Sequence, residues 1–217
     1  MQLKIAGLLA DMSRILVLSP ARAGGRRAQL LTSPRAAFEL ARQVQIGEAT
    51  LGDVFAFCSG LYFRGKLAYG RKFANSPEGL AGVQVITSSR GLLSADARVG
   101  EAEMREFINV EVDADEPRFT GPLSESAKAL AAATCEVVLL GSIATGKYVD
   151  CLLPILGKRL LFPSDFVGRG DMSRGALLLR CAARNEELNY LALAGAVRRG
   201  RRPPKSPAAR GGNSPAQ

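Results

Sequence analysis

Small hydroxyl, glycine and arginine residues follow each of four short apolar segments that the sequence predicts as buried strands. In chain order they are Ser19 and Arg22; Ser88, Ser89 and Arg90; Gly141 and Ser142; and Pro163, Ser164 and Asp165. Ligands of a parallel sheet bind outside the carboxyl ends of its strands, where hydroxyl and backbone N–H groups suit a polar or anionic molecule. Serine and glycine are also ordinary turn formers, so one such loop alone fits either interpretation. The coincidence of four favours a ligand pocket.

Residues 141–147, with the sequence GSIATGK, follow a predicted strand, precede a predicted helix and fit the pattern GxxxxGK. In a phosphate-binding loop of that pattern, backbone N–H groups hold the phosphates and Lys147 would reach them. Tyr148 occupies the position where serine or threonine should hold magnesium, and no later predicted strand ends in the expected aspartate. We therefore favour a strand-to-helix turn with a solvated Lys147, and keep a divergent P-loop phosphohydrolase as an alternative.

A second candidate segment, residues 59–69, places Arg64 and Lys66 among three aromatic residues. This arrangement could stack a base and bind a phosphate. An amphipathic helix that buries its aromatic face and solvates its cations fits equally well. Gly65 within a helix costs up to ~1 kcal/mol relative to alanine, which indicates the close approach of a helix or a ligand.

The long connection at residues 162–175 contains the best candidates for a general base, Asp165 and Asp171, because the chain has no histidine. Arg169 and Arg174 could hold an anion or stabilise developing negative charge. A salt-bridged loop is the structural alternative, and we favour it slightly.

The absence of histidine from the chain excludes Ser-His-Asp and Cys-His catalysis and His-ligated metals. The four cysteines form no CxxC pair, and the carboxylates of the acidic segment 101–116 lack metal-ligand spacing. We therefore expect neither a metal site nor a cofactor.

The net charge of +9 over 217 residues is concentrated near the carboxyl terminus, since residues 198–217 contain six arginines and lysines and no acidic residue. We predict an N-terminal extension at residues 1–13, a single α/β domain at 14–193, and a disordered basic tail at 194–217. Such a tail could bind nucleic acid non-specifically or serve only for solubility. No apolar stretch is long enough for a membrane span and no export signal is convincing, so we expect a cytoplasmic protein without a membrane partner. Met12 is an alternative start.

Four short runs rich in apolar residues, at 14–18, 83–87, 136–140 and 159–162, predict buried parallel strands. Helices are predicted from Ser33-Pro34 onward and at 53–57, 61–73, 101–108, 123–134 and 147–156, with 24–27 as a loop. Residues 175–182 and 188–193 read as a β-hairpin on one edge of the sheet. The predicted fold class is therefore a three-layer αβα sandwich with a mainly parallel sheet and a C-terminal hairpin.

The helical segment 61–69, with its LYFR and AY elements, precedes VITSSRGLL at 85–93 and VLLG at 138–141. This succession resembles an uncharacterised bacterial α/β family whose layout is similar to the uracil-DNA-glycosylase-like fold and to modules associated with deazaguanine nucleic-acid modification. The resemblance covers residues 14–165 and implies a nucleobase or nucleotide ligand at the serine-lined strand ends. The chain departs from the glycosylase pattern because it lacks a carboxylate after the first strand and a late histidine.

The first hypothesis is a nucleotide- or nucleobase-binding α/β protein; if it is an enzyme, its substrate would contain an N-glycosidic or phosphate-linked bond. Asp165 or Asp171 would activate water, while the ligand-binding residues would be Ser19, Arg22, Arg64, Ser88, Ser89, Arg90, Gly141, Ser142, Lys147 and Arg169. The alternatives are a non-catalytic nucleic-acid- or partner-binding protein that uses its basic tail, and the P-loop phosphohydrolase.

Overall fold

A six-stranded sheet forms the centre of the structure, a computed structural model that describes residues 13–197. The strands of the chain are β1 (Arg14–Leu18), β2 (Ala49–Thr50), β3 (Val83–Ile86), β4 (Leu92–Ser94), β5 (Arg98–Val99), β6 (Glu136–Leu140), β7 (Leu160–Pro163) and β8 (Tyr190–Ala192). The order in the main sheet is β4-β3-β1-β6-β7-β8, with four parallel central strands and an antiparallel strand at each edge. Strands β2 and β5 form a separate antiparallel pair.

Eight helices within residues 13–197 cover the two faces of the sheet. They are α1 (Arg26–Leu31), α2 (Glu39–Gln45), α3 (Leu51–Ser59), α4 (Leu61–Phe73), α5 (Glu101–Ile108), α6 (Pro117–Ala131), α7 (Gly146–Leu156) and α8 (Asp171–Arg184). Helices α6 and α7 pack on one face, and the core on the other face contains residues from the remaining six. No helix in this described range is both long and apolar enough to cross a membrane.

The apolar run of β1 is continuous because the strand is buried on both faces of the sheet. Ile15 and Val17 belong to the core shared with α6 and α7, whereas Leu16 and Leu18 belong to the core on the opposite face, and all four are fully buried. Successive side chains of a strand point to opposite faces, so a strand covered on both sides has no polar alternation. The predicted three-layer α/β fold with a mainly parallel sheet is confirmed.

Strands β7 and β8 form an antiparallel pair at one edge of the sheet. The prediction that residues 175–182 form the first strand of a hairpin at this edge is wrong. Residues 175–182 lie within helix α8, and β8 pairs instead with β7. The apolar run Leu177–Leu179 fits a strand or a helix, and the burial of Leu178 and Cys181, three residues apart, shows the helical period. Helix α8 ends at Arg184, and the next residue, Asn185, has a φ of 56°, the left-handed conformation common after helices.

Two other predicted boundaries near α1 and α2 are also wrong. Residues 26–27, predicted as loop, begin helix α1. Ser33 does not cap a helix, because its hydroxyl and carbonyl accept the N–H groups of Arg35 and Ala36 and close a turn. Helix α2 begins only at Glu39.

The crossing of α4 and α8 is closer than ordinary side chains allow. A Cβ atom on Gly65 would lie 2.6 Å from the carbonyl oxygen of Gly175, and one on Gly175 would lie 2.8 Å from the Cα of Tyr62. The predicted close approach to Gly65 is therefore made by a helix. It brings the first turn of α8 against the aromatic and basic residues of α4.

Residues 1–12 of the predicted N-terminal extension, which include the alternative start Met12, lie outside the described residues. Of the predicted basic tail at 194–217, residues 194–197 are described and residues 198–217 lie outside.

Candidate functional site

A cavity of about 500 Å³ lies at the carboxyl ends of β1, β3 and β6. Strand β1 has β3 on one side and β6 on the other. The chain that follows β1 joins the helix layer on one face, whereas β6 leads to α7 on the other, so the two connections diverge. Such a switch point is where open α/β sheets bind ligands. We refer to this space as the strand-end cavity.

The walls of the strand-end cavity combine aromatic, hydroxyl and charged side chains. They are formed by Pro20, Ala21, Arg22, Ala23 and Gly24 after β1; Phe55 of α3; Ser88 after β3; Phe107, Ile108, Val110, Glu111, Val112 and Asp113 at and after the end of α5; and Lys147 and Tyr148 of α7. The cavity is therefore built from loops of both faces of the sheet.

Three of the predicted ligand-binding residues line this cavity: Arg22, Ser88 and Lys147. The Lys147 amine donates to the Val112 carbonyl at 2.9 Å and lies 3.3 Å from the Asp113 carboxylate. A backbone N–H from Asp115 and the Lys147 amine hold the pKa of Asp113 below its usual value. Arg22 is exposed and makes no hydrogen bond or ion pair with any residue in 13–197, so its guanidinium is free to meet a ligand.

Ser89 and Arg90 are bound to helix α5 and not to the cavity. The Ser89 hydroxyl donates to Glu106 at 2.6 Å, and the Arg90 guanidinium lies 2.5 Å from Glu106 and 3.4 Å from Glu103. Hydrogen bonds from Arg90 and Ser89 lower the pKa of Glu106. Ser88, in contrast, donates its hydroxyl to the Phe107 carbonyl at 2.8 Å and so joins two walls of the cavity.

Gly141 and Ser142 continue β6 into the loop that leads to α7. A Cβ atom on Gly141 would lie 2.9 Å from the Cβ and 3.2 Å from the Oγ of Ser19, so the glycine leaves room for that serine. Lys147 is in the first turn of α7, where its amine bonds to the 112–113 segment.

Ser19 and Lys66 form a buried pair directly beneath the loop that follows β1. The Lys66 amine donates to the Ser19 carbonyl at 2.5 Å and lies 2.8 Å from the Ser19 hydroxyl. Ser19 is 5% and Lys66 1% exposed. The amine also lies 4.5 Å from the ring centre of Tyr62. Burial lowers the pKa of Lys66 to about 7, with a further decrease caused by Arg174 and an opposing effect of Asp171.

Four further polar residues lie around this pair. The Tyr62 hydroxyl is buried and has no hydrogen-bond partner among residues 13–197, and burial raises its pKa to about 12. Asp171 and Arg174 interact electrostatically with both Tyr62 and Lys66. Tyr148 lines the strand-end cavity, and burial together with nearby Tyr62 and Asp171 raises its pKa, so Tyr148 connects the two features. We call Ser19, Tyr62, Lys66, Tyr148, Asp171 and Arg174 the polar cluster.

The predicted catalytic residues differ in their surroundings. Asp171 lies at the rim of the polar cluster, with a side chain that is 70% exposed and 3.7 Å from Arg174. Asp165 lines neither the cavity nor the cluster, and its carbonyl accepts the Arg169 guanidinium at 2.8 Å. Arg174 donates twice to the Phe166 carbonyl, at 2.9 and 3.2 Å. These contacts show that the 162–175 connection is held together by its arginines.

Arg64 lies in a separate cleft on the outer surface of α3 and α4. This cleft is lined by Arg27, Ala56, Phe57, Ser59, Gly60, Leu61, Arg64 and Met172. The two cations of the predicted 59–69 segment are therefore separated, because Lys66 points into the core. Residues 13–197 contain no cluster of three or more cysteines and carboxylates that could hold a metal ion.

The 59–69 pattern predicts a ligand phosphate or solvent as the partner of Lys66, and does not predict Ser19. The two residues are 47 positions apart, and no local pattern indicates that they meet. Two features of the sequence relate to this pair: Ser19 directly follows a buried strand, and Lys66 lies one helical turn after Tyr62.

Comparisons of the chain with protein-family models, with curated proteins and with solved structures gave no match.

Proposed function

We propose that the protein binds a nucleotide or nucleobase in the strand-end cavity. The observation that carries this proposal is a cavity of about 500 Å³ at the switch point of the sheet, with the unpaired Arg22 guanidinium on one wall. Ligand cavities of small molecules measure roughly 300–1,000 Å³ and combine apolar walls with a few polar groups. The cavity therefore has the size and composition for a ligand of this class.

The distribution of chemical groups around the cavity supports this ligand class. Arg22 can form two parallel hydrogen bonds with a phosphate. The carboxylates of Glu111 and Asp113 can accept the N–H groups of a base, and the rings of Phe107 and Tyr148 supply aromatic surface. A molecule with an anionic end and an aromatic, hydrogen-bonding end would satisfy all of these groups together.

The test is a thermal-shift screen of the full chain against nucleobases, nucleosides, nucleotides and inorganic phosphate. A ligand at 100 times its Kd adds ~2.7 kcal/mol to the free energy of unfolding, which raises Tm by several degrees. We expect a base- or nucleotide-selective shift. Failure of every compound to change Tm at millimolar concentration would contradict the proposal.

The variant Arg22→Ala should weaken binding of a phosphorylated ligand about tenfold or more, because a charge-assisted hydrogen bond contributes roughly 1.5–3 kcal/mol. Arg64→Ala is the matched control: Arg64 is also exposed and without an ion pair in the described range, but it lines the other cleft. Equal losses in the two variants would indicate non-specific attraction to positive charge and would contradict a site in the strand-end cavity.

A further inference from the structure

Ser19 and Lys66 have the arrangement of a nucleophile and its base. The hydroxyl and the amine are 2.8 Å apart, within hydrogen-bond distance, at the carboxyl end of the central strand. The second hydrogen bond of the amine, to the Ser19 carbonyl, fixes the lysine against the same residue whose hydroxyl it faces. Two bonds to one residue hold the pair in a single geometry without any contribution from a third side chain.

A lysine acts as a base only when its amine is neutral, and the surroundings of Lys66 favour that form. The amine is fully enclosed, and no carboxylate lies within hydrogen-bond distance of it in the described chain. The charged groups that face it are Asp171 and Arg174, both from α8, whose effects on the amine have opposite signs. Burial holds the pKa of Lys66 at about 7, so the neutral amine is well populated under ordinary conditions.

Space is also present near the Ser19 hydroxyl. Gly141 removes a Cβ atom that would otherwise lie 3.2 Å from the Ser19 oxygen. Pro20 and Ala21, which follow Ser19, and Tyr148 of the polar cluster all line the strand-end cavity. The centre of the Tyr62 ring lies 4.5 Å from the Lys66 amine, and its buried hydroxyl has no hydrogen-bond partner in residues 13–197.

We propose that Ser19 and Lys66 form a serine–lysine catalytic pair that hydrolyses an acyl compound, an ester or amide, which reaches Ser19 from the strand-end cavity. The neutral Lys66 amine takes the hydroxyl proton while the Ser19 oxygen forms a bond to the carbonyl carbon. The bond from that carbon to the leaving group breaks, the leaving group receives the proton from Lys66, and the acyl group remains on Ser19. Water then attacks the acyl carbon with its proton passing to Lys66, and Ser19 recovers the proton as the acid departs.

The experiment is covalent labelling of the full chain with a small alkyl fluorophosphonate, in which the Ser19 oxygen displaces fluoride from phosphorus. Trypsin cleaves after Arg14 and Arg22 and releases the peptide 15–22, in which Ser19 is the single hydroxyl residue. Mass spectrometry of that peptide therefore assigns the adduct without ambiguity. We expect one adduct on this peptide, formed faster as the pH rises through about 7.

Two variants and two matched controls decide the result. Ser19→Ala should abolish the adduct, and Lys66→Met should slow labelling at least ~100-fold, the contribution of a general base. Lys72→Met, on the exposed end of the same helix, and Ser94→Ala, in strand β4, should label at the wild-type rate. Circular dichroism of Lys66→Met establishes whether the variant is folded, and the rise of wild-type labelling through pH 7 tests the role of the lysine independently of that variant.

Labelling that Lys66→Met leaves unchanged, an adduct on another peptide, or no adduct at pH 9 would each overturn the proposal. The inference does not rest on the nucleotide proposal, because the probe contains no base. A positive thermal shift without labelling would support nucleotide binding and contradict the serine–lysine pair. Labelling without a thermal shift would support a hydrolase whose substrate is not a nucleotide.

Discussion

The Lys66 amine is buried among the Ser19 carbonyl and hydroxyl and the rings of Tyr62 and Phe63. Removing a positive charge from water costs free energy unless a counter-charge replaces the solvent. Because burial lowers the pKa of Lys66 from 10.5 to about 7, the folded protein releases a proton that the unfolded chain retains in this interval. The residue therefore links protonation to folding.

We predict that the free energy of unfolding contributed by this site rises between pH 7 and pH 9, by up to about 1.4 kcal/mol per pH unit. The sign follows because the unfolded chain binds more protons than the folded one when the folded pKa of a lysine is depressed. Urea unfolding at several pH values measures the effect. Lys66→Met should remove this rise, and Lys72→Met should retain it.

The predicted rise in the free energy of unfolding is limited to pH values below 9, because burial raises the pKa values of the four cysteine thiols above their usual 9.0. Above pH 9 the cysteines lower the free energy of unfolding as the pH rises, which opposes the effect of Lys66. Burial raises the pKa of Tyr62, whose ring faces the Lys66 amine, to about 12. An identical pH dependence for wild type and Lys66→Met below pH 9 would contradict a depressed lysine pKa.

At the scale of residues, the sequence indicates where polar groups gather but not which of them are already paired. Ser88, Ser89 and Arg90 were all expected to face a ligand. Glu103 and Glu106, three residues apart on one side of α5, bind the guanidinium of Arg90 and separate it from Ser88. The acidic segment was visible in the sequence, but its position opposite Arg90 depends on the tertiary fold.

At the scale of elements, burial on both faces made the central strands predictable. The runs at β1, β3, β6 and β7 are rich in apolar residues because both of their faces are covered, so their existence could be predicted from the sequence pattern. Helix α8 could not, because three consecutive leucines fit either period and the deciding contact, Gly175 against α4, joins distant parts of the chain.

The α4–α8 crossing predicts a large difference between two glycine substitutions within α4. Gly65→Ala should destabilise the protein by roughly 1–3 kcal/mol, because its Cβ would meet the backbone of Gly175 and the helices must separate. Gly70→Ala should cost less, because its Cβ would meet the methyl groups of Val83, which can move. Thermal or urea unfolding compares the two, and equal losses would show that the crossing is adaptable.

At the scale of the whole molecule, charge is divided between two parts of the chain. Residues 14–73 contain ten arginines and lysines but only three carboxylates. Residues 96–136 contain four arginines and lysines and ten carboxylates. The strand-end cavity lies where these parts meet, with Arg22 from the first and Glu111 and Asp113 from the second. A ligand with opposite polarity at its two ends would therefore be oriented as it enters.

We predict that deletion of residues 198–217 removes salt-sensitive binding to DNA or RNA while ligand affinity at the strand-end cavity stays within about twofold. The deletion removes six positive charges and no negative ones, and phosphate-backbone binding depends on the number of such contacts. Fluorescence anisotropy with a labelled oligonucleotide at two salt concentrations measures the first effect. Undiminished binding by the truncated chain would place the nucleic-acid surface within residues 1–197.

The contact between Gly65 and Gly175 also restricts how this protein can evolve. Neither position can accept a side chain while the other keeps its place, because each Cβ would meet backbone atoms and not a side chain that can turn away. Lys66 is next to Gly65 and Arg174 is next to Gly175. A movement of the two helices relative to each other would therefore also displace the polar cluster. We expect that in any set of diverged sequences the residues at 65 and 175 stay small together, and that a larger residue at one is accompanied by changes along both helices.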